Sequence, residues 1–415
     1  DPDGAIGDNF GYGGATLSAG GLIVASSAHI DTGTRGSIVV WQRPDLSTNL
    51  TTVTPVKLVD PDGAGSDVLG KGGVAFTPDG LILAAGSNGD SIMGRNSGSI
   101  SVWQRPNLSA NFSTITPDKL VDPNGATSDF LGNGGVALSS DGLVLAAASH
   151  GNDGMGTDSG IVLVWQRPDL STNFSSVAPF RLVDPDGAAN DNMGYGGVSL
   201  SSNGFIVAAG VYGDDEMGTS SGSVLVWERP DLSTNLSTVT PVKVLDPDGA
   251  KDDYMGRNGV TLSPDGLMLA TTSYYDDTMS SKSGSVLVWE RPDVSTSFST
   301  VTPAKLLDPA GAENDYLGGG GVALSSDRLV VAAASYKDDN MGTDSGSVLV
   351  WRRTDLSTSF STVTPFKLVD PNGAASDNLG YGDISLSSDG LILAVTSYSD
   401  DTMGSNQGSL IIFSA

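Results

Sequence analysis

Acidic residues recur at fixed places along the chain, and their type and spacing suit them to hold a cation. One copy of the motif "DPDGAxxD" contributes Asp184, Asp186 and Asp191, and a later loop of the same copy adds Asp214 and Asp215. Calcium takes about six to eight oxygen ligands from carboxylates, carbonyls and water. These five aspartates are therefore candidate Ca²⁺ ligands, and Ca²⁺ is the one cofactor that the sequence suggests.

The last aspartate of the motif is present in every copy. Its equivalents elsewhere in the chain are Asp8, Asp67, Asp129, Asp253, Asp315 and Asp377. A second explanation is equally concrete, because Asp in Asp-Pro and Asp-Gly sequences accepts hydrogen bonds from the amides of its own turn. Ala310 stands where one copy should supply its second carboxylate, which weakens the metal hypothesis. Cation binding and turn chemistry both remain open at this point.

Residues suited to nucleophilic or thiolate chemistry are scarce. The chain has no cysteine and only two histidines, His29 and His150, which occupy the same place in two copies of a repeat. A Ser-His-Asp triad or a His-bound metal is therefore not expected. Paired carboxylates leave a polysaccharide-acting enzyme as an alternative. Every such pair has near-copies, however, so we expect a protein that is not an enzyme.

The acidic motifs belong to a repeat that fills the whole chain. Units begin near residues 1, 60, 122, 184, 246, 308 and 370, and the last five intervals are 62 residues each. Repeats of this kind share one continuous core. We therefore predict a single domain over residues 1–415.

Each unit contains four short strand patterns, here called A to D along the chain. In the third unit they are "GGVALS", "LVLAAAS", "SGIVLVWQR" and "FRLVD", with the turn sequence "SSDG" between the first two. Seven such units predict an all-β fold, a seven-bladed β-propeller of four-stranded antiparallel blades. An open solenoid is the competing repeat fold, but it would need distinct capping units at its ends. All six tryptophans lie at one place in strand C, which indicates packing between neighbouring blades rather than ligand stacking.

The units resemble FG-GAP repeats, which build the propeller of integrin α-subunits. The resemblance rests on stretches such as "DNFGYGGATLS" and "SDFLGNGGVALSSDGLVLAAAS", and it covers all seven units. It implies the propeller fold and, less directly, a cation-dependent adhesion or ligand-binding module. The calcium loop of that family lies between strands A and B, where this chain has only a tight "SSDG" or "TPDG" turn. That calcium site is therefore not carried over.

The two faces of the predicted propeller should differ. The D-to-A and B-to-C loops share one face and hold most of the 48 acidic residues. Few cations offset them there, namely Arg35, Lys71, Arg95, Lys251, Arg257, Lys282 and Lys337. This distribution predicts a negatively charged face, and the net charge of −27 argues against nucleic acid or anionic membranes as partners.

The opposite face carries glycosylation signals. Asn-x-Ser/Thr sequons occur at Asn49, Asn107, Asn111, Asn173 and Asn235, and all but Asn107 occupy one place in the repeat. Glycosylation at these sites implies secretion, so we expect an extracellular or cell-surface location. No apolar run is long enough to insert into a membrane.

One strand is missing from the count. The seventh unit ends with its strand C, so its blade should lack an outer strand. Residues upstream of Asp1 or a neighbouring molecule could supply it. We expect a non-enzymatic structural or surface glycoprotein, a propeller building block of a surface assembly or filament. We expect it to associate with itself or with other extracellular proteins and glycans, with this open edge as a candidate contact surface. A cation-dependent adhesion or ligand-binding module and a polysaccharide-acting enzyme are the alternatives.

Overall fold

The seven repeats form seven antiparallel sheets arranged in a ring. The structure is a computed structural model that describes residues 7–401 and 406–414. Six sheets have four strands and the sheet of the seventh unit has three, which confirms the predicted propeller. The start of the first unit at Asp1 lies outside the described residues.

The strands follow one another in chain order within each blade. Blades 1 and 2 contain β1 (Phe10–Leu17), β2 (Ile23–Ala28), β3 (Ser37–Gln42), β4 (Val56–Leu58), β5 (Leu69–Phe76), β6 (Ile82–Ser87), β7 (Ser99–Gln104) and β8 (Asp118–Leu120). Blades 3 and 4 contain β9 (Val136–Leu138), β10 (Val144–Ser149), β11 (Ile161–Gln166), β12 (Phe180–Leu182), β13 (Val198–Leu200), β14 (Ile206–Val211), β15 (Ser223–Glu228) and β16 (Val242–Val244). Blades 5 to 7 contain β17 (Val260–Leu262), β18 (Met268–Ser273), β19 (Ser285–Glu290), β20 (Ala304–Leu306), β21 (Leu317–Leu324), β22 (Val330–Ser335), β23 (Ser347–Arg352), β24 (Phe366–Leu368), β25 (Ser385–Leu386), β26 (Ile392–Ser397) and β27 (Ser409–Ser414).

Helical structure is confined to short turns. One-turn 3₁₀ helices between strands C and D span Leu50–Thr52, Phe112–Thr114, Phe174–Ser176, Leu236–Thr238, Phe298–Thr300 and Phe360–Thr362. The α-helix α1 spans Asp31–Thr34. In the described part of the chain no helix has the length and apolar character needed to cross a bilayer.

Small apolar residues make strand B the centre of each blade. Every residue of β10 is buried, as expected for a strand covered on both faces. Its turn with β9 is fixed by Asp141, whose Oδ1 accepts hydrogen bonds from the Ser139 hydroxyl and the Leu143 amide. Gly142 follows with φ +68°, a conformation that favours glycine. Local turn chemistry therefore sets the register of the A–B hairpin.

The strand-C tryptophans pack between blades, as the sequence predicts. Trp103 of blade 2 is 1% exposed and lies in one apolar cluster with Ile23 and Leu58 of blade 1. Trp165, Trp227, Trp289 and Trp351 are equally buried, at 1–2% exposure. These residues connect each blade to its neighbour, and the core therefore runs round the ring.

The ring closes between the last blade and the first. The Ala15 amide donates to the Asp383 carbonyl (3.2 Å) and the Ser388 amide donates to the Ala19 carbonyl (3.0 Å). The Thr396 hydroxyl donates to the Gly11 carbonyl at 2.8 Å. These contacts join residues from opposite ends of the chain, so the solenoid alternative is wrong.

The seventh blade has three strands in the described residues. Its order is β25–β26–β27, and no described strand pairs with the outer side of β27. The first five residues of the equivalent strand β23 are all buried, whereas those of β27 are only partly buried. The predicted lack of an outer strand is therefore confirmed for the described chain.

Candidate functional site

In blades 1 to 6 the acidic residues of the cation hypothesis are arranged around a basic residue of strand D. In blade 4 the ammonium group of Lys243 lies between two buried carboxylates. Its Nζ is 3.4 Å from Asp184 Oδ2 and also contacts Asp214 Oδ2. The positive charge that these aspartates require is therefore supplied by the protein itself.

The same arrangement recurs round the ring. One strand-D cation joins the Asp of the "DP" turn to the Asp of the B-to-C loop in blades 2, 5 and 6, through Lys119 (Asp60, Asp90), Lys305 (Asp246, Asp276) and Lys367 (Asp308, Asp338). Arg181 binds Asp122 in blade 3 at 2.5 Å, and Lys57 binds Asp31 in blade 1. These ion pairs confirm that the D-to-A and B-to-C loops share a face. They also correct the predicted charge of that face, because the strand-D cations reach it and offset part of the acid.

The last aspartate of each motif stabilises its own turn. Asp191 Oδ2 accepts a hydrogen bond from the Ala188 amide at 2.6 Å, and the same bond recurs in blades 2, 3, 5, 6 and 7. Burial raises the pKa of Asp191, and the nearby charges of Asp214 and Asp184 raise it further. In blade 5 burial raises the pKa of the equivalent Asp253 to about 6. Turn chemistry thus accounts for this residue type without a metal.

The structure brings together only part of the predicted ligand set. Asp186 and Asp215 are exposed, and Asp215 Oδ1 accepts from the Ser220 amide of its own loop. They do not join Asp184, Asp191 and Asp214. Among the described residues, three carboxylates approach within 4.8 Å of one another at Asp60, Asp67 and Asp90, and again at Asp308, Asp315 and Asp338. Asp8 is also buried, in blade 1. Calcium at these places stays a prediction, and it would have to displace a lysine in the two clusters.

The seventh blade has the acidic residues of this arrangement without its strand-D cation. Asp370 Oδ1 accepts the Asn372 amide at 2.8 Å, as in the other turns. None of the described basic residues lies within ion-pair distance of Asp370. Burial raises the pKa of Asp377, and the charges of Asp400, Asp370 and Asp401 raise it further. The equivalent Asp315 experiences the opposing charge of Lys367.

A groove lies where the missing outer strand would pack. It has a volume of about 850 Å³, and its lining includes Trp41, Leu50, Leu410 and Ile412 as well as Asp370. Trp41 is only partly buried there, unlike the strand-C tryptophans of blades 2 to 6. The Ser409 hydroxyl at its floor is buried without a described hydrogen-bond partner, whereas the equivalent Ser347 donates to Asp338. The groove therefore combines apolar side chains, the carboxylate of Asp370 and the edge of β27, with which no described strand pairs.

The central channel is the second cavity of interest, because there the seven units differ. One place in the repeat is occupied in turn by Tyr12, Lys71, Asn133, Tyr195, Arg257, Gly319 and Tyr381. All seven of these residues line a cavity of about 370 Å³ in the channel. Arg257 lies 5.1–5.6 Å from the ring centroids of four tyrosines and donates to the Tyr274 hydroxyl. Residues at this place in the repeat can differ between units because they face the channel and do not pack between blades.

Asp383 is the unique carboxylate of this channel. The other six units have glycine at its place, namely Gly14, Gly73, Gly135, Gly197, Gly259 and Gly321. A Cβ atom at Gly321 would lie 2.8 Å from Asp383 Oδ1, so the glycine leaves room for the acid. The side chain is exposed to the channel, but the protein atoms that surround the channel partly desolvate the carboxylate, and this raises the pKa of Asp383 to about 6. The sequence contained this signal as one acid among six glycines, and our sequence reasoning missed it.

The two histidines lie near the mouth of the same channel. His150 stacks on Phe130 at 5.3 Å and meets the edge of Tyr195 at 5.0 Å. Burial lowers the pKa of His29 and of His150 to about 4, and the charge of Lys71 contributes to both shifts. Both imidazoles pack against aromatic rings. The expectation that they form no catalytic triad stays a prediction.

The five sequon asparagines are all exposed in the C-to-D connections. Asn49, Asn111 and Asn235 precede 3₁₀ helices, and their Oδ1 atoms accept the amide two residues ahead. Ser297 and Ser359 make the same cap in blades 5 and 6. Asn107 instead caps the preceding turn through Ser109 and Ala110. Asn173 makes no such side-chain bond. Helix capping explains the residue type, and glycosylation stays a prediction.

Comparison with known proteins supports the architecture alone. No protein-family model matches the chain, and no curated protein sequence matches it. A solved structure that resembles it is the β-propeller domain of Cps50 (Swd1) from Myceliophteria thermophila. The TM-score is 0.57 at 13% sequence identity, and the match covers 97% of this chain and 95% of that chain. At this identity the likeness shows a shared propeller fold. The resemblance to FG-GAP repeats stays a prediction.

Proposed function

We propose that this chain is a non-enzymatic structural glycoprotein that serves as a building block of an extracellular assembly. The edge of blade 7, with which no strand of the described residues pairs, is the observation that carries the proposal. A three-stranded blade leaves one row of backbone donors and acceptors open to another strand. The groove beside it has the size and apolar lining to receive side chains. The other blades are uniform and closed, which suits a scaffold.

Imaging the native material tests this proposal. Negative-stain electron microscopy should show regular arrays or filaments with a repeat close to one propeller, and mass photometry should show dissociation on dilution. Chains that remain monomeric at high concentration, with no ordered assembly in native material, would contradict it. Peptide mass analysis before and after enzymatic removal of N-glycans checks Asn49 and Asn173. If the peptides that contain the five sequons are all unmodified, the proposal that the protein is a glycoprotein is contradicted.

Cation-dependent adhesion is the second candidate, and the three-carboxylate clusters support it. The strand-D lysines count against it, because each already offsets part of the acid in its cluster and occupies the space between two carboxylates. A Ca²⁺ titration followed by thermal unfolding separates the two ideas. Adhesion of the integrin type requires a clear rise in melting temperature with Ca²⁺, and a structural block does not.

The central channel is where enzyme activity would have to be sought. Asp383 is the one acidic residue among the described residues that line its two cavities. Glycoside hydrolysis ordinarily uses a pair of carboxylates about 5–9.5 Å apart. A single acid therefore gives little support to a polysaccharide-acting enzyme. Release of reducing or unsaturated ends from glycans, abolished by Asp383→Asn, would overturn the non-enzymatic proposal.

A further inference from the structure

We propose that the edge of blade 7 binds an extended peptide strand with a central Lys or Arg, followed by Leu or Val. The strand would lie antiparallel to β27 and direct its cation to Asp370. This inference rests on the proposed function and names the chemistry of the partner. It is argued from the outer strands that the chain already contains.

Six outer strands in the chain share one pattern. β4, β8, β12, β16, β20 and β24 each place Lys or Arg at the centre and Leu or Val at the end. In β24 these are Lys367 and Leu368, which lie opposite Leu349 and Val348 of β23. The cation reaches the acidic face while the apolar residue faces the interior. The pattern thus satisfies a charge requirement and a packing requirement at once.

The register transfers directly to blade 7. Ser335 pairs with Ser347 in blade 6, and Ser397 pairs with Ser409 in blade 7, so Leu349 corresponds to Ile411. An incoming strand would therefore set its Lys or Arg opposite Ile411. Its Leu or Val would lie opposite Leu410. The 3₁₀ helix Leu50–Thr52 lies beside this place, as the helix Phe112–Thr114 lies beside β4.

The surfaces left by the missing strand match this occupant. Trp41 and the carboxylate of Asp370 line the same groove, one apolar and one negatively charged. In blade 6 the equivalent carboxylate of Asp308 is 2.8 Å from Lys367 Nζ. A strand without a central cation would cover Trp41 but leave Asp370 without its opposite charge. Charge complementarity therefore selects a basic strand among all strands that could pair with the edge.

A peptide copying residues 363–370, labelled with a fluorophore, tests the inference on the full chain by anisotropy. We expect saturable binding, and we expect substitution of Glu for the peptide's Lys to weaken it about tenfold or more. Asp370→Asn in the chain should weaken binding of the unmodified peptide similarly, since it retains the turn but loses the charge. Asp308→Asn is the matched control, because Lys367 already occupies that place, and it should leave the affinity unchanged.

Every other outcome counts against the inference. Equal affinity of the Lys and Glu peptides would show that the site does not require a basic residue in the bound strand. Absence of binding to a monomeric chain would mean that the edge is closed or takes something else, such as Ca²⁺. If a second copy already fills the groove, the peptide must dissociate the assembly, and an assembly that it leaves intact overturns the inference.

The experiments distinguish failure of the strand-binding inference from failure of the proposed structural function. Ordered assemblies that survive both the peptide and Asp370→Asn would retain the structural role and reject the strand partner. Charge-selective peptide binding without any assembly in native material would retain the strand site and reject the structural role.

Discussion

Single residues control how this protein responds to pH, and the central channel holds the groups concerned. Desolvation displaces the pKa of Asp383, which faces the channel, and the pKa of the partly buried His150, in directions that disfavour the charged form. They act in opposite senses on stability, because one gains its charge as pH rises and the other as pH falls. Two substitutions separate these effects.

Asp383→Asn should stabilise the protein above pH 6 and make little difference near pH 4. The folded-state pKa of about 6 lies above the unfolded value of 3.8, so the wild type loses stability as pH rises through this window. Chemical unfolding at several pH values measures the difference between the two proteins. A difference that does not depend on pH would show that the carboxylate is not desolvated.

His150→Tyr should reduce sensitivity to acid. The folded-state pKa of about 4 lies below the ordinary value of 6.5, so the wild type loses stability as pH falls from about 6.5 to about 4. Tyr212, Tyr274 and Tyr336 occupy the same place in other blades, so tyrosine fits the repeat. The variant's melting temperature should fall less than that of the wild type over this range. Parallel curves would contradict the burial of a neutral imidazole.

At the scale of the element, the strand-D lysine and the strand-C tryptophan each hold a blade in place. Both features repeat, and both change at blade 7 and its junction with blade 1. Two predictions therefore compare a buried member of each feature with a less buried residue of the same type.

Lys243→Ala should destabilise the protein by about 3 kcal/mol, because it leaves two buried carboxylates without their cation. Lys251→Ala is the control, since that side chain is 70% exposed and pairs weakly at 3.7 Å. Its effect should stay below about 0.5 kcal/mol. Urea unfolding measures both. Added Ca²⁺ should restore part of the stability of Lys243→Ala alone. Equal losses in the two variants would contradict the role of the buried ion pairs.

Trp103→Ala should cost about 3–5 kcal/mol, as expected for a fully buried large side chain. Trp41→Ala should cost distinctly less, because Trp41 borders the open groove of blade 7. Denaturant titration of the two variants gives the comparison directly. Equal costs would show that Trp41 is as well covered as its equivalents.

The sequence predicted the strands and the blades better than the contacts between charges. Turn residues such as Asp141 and Gly142 act locally, so their pattern reveals the hairpin without knowledge of the rest. Lys243 meets Asp184 only after the strands have stacked, and sequence spacing does not show that contact. The charge balance of the acidic face was misjudged for this reason. Asp383 could have been identified from the sequence. When the seven units are aligned, it is the one acidic residue at a position where the other six units have glycine.

At the scale of the whole molecule, the junction of blades 7 and 1 should be the least stable part of the ring. Five residues of β27 are partly buried, and an edge strand has backbone groups open to solvent. Hydrogen exchange followed by mass spectrometry should show faster exchange in β27 than in β23. Binding of the strand-D peptide should slow hydrogen exchange in β27 and leave the exchange rate of β23 unchanged. Equal rates in the free protein would show that the three-stranded blade is as tightly held as the others.

Strand exchange at the edge of β27, which no described strand covers, would also give an assembly a direction. If each copy receives a strand from the next one, every link in the resulting fibre points the same way. One end of such a fibre always offers an empty acceptor and the other end always offers a donor, so the two ends differ chemically. Growth and shortening would then proceed at different rates at the two ends, and a soluble basic strand would stop growth at the acceptor end alone.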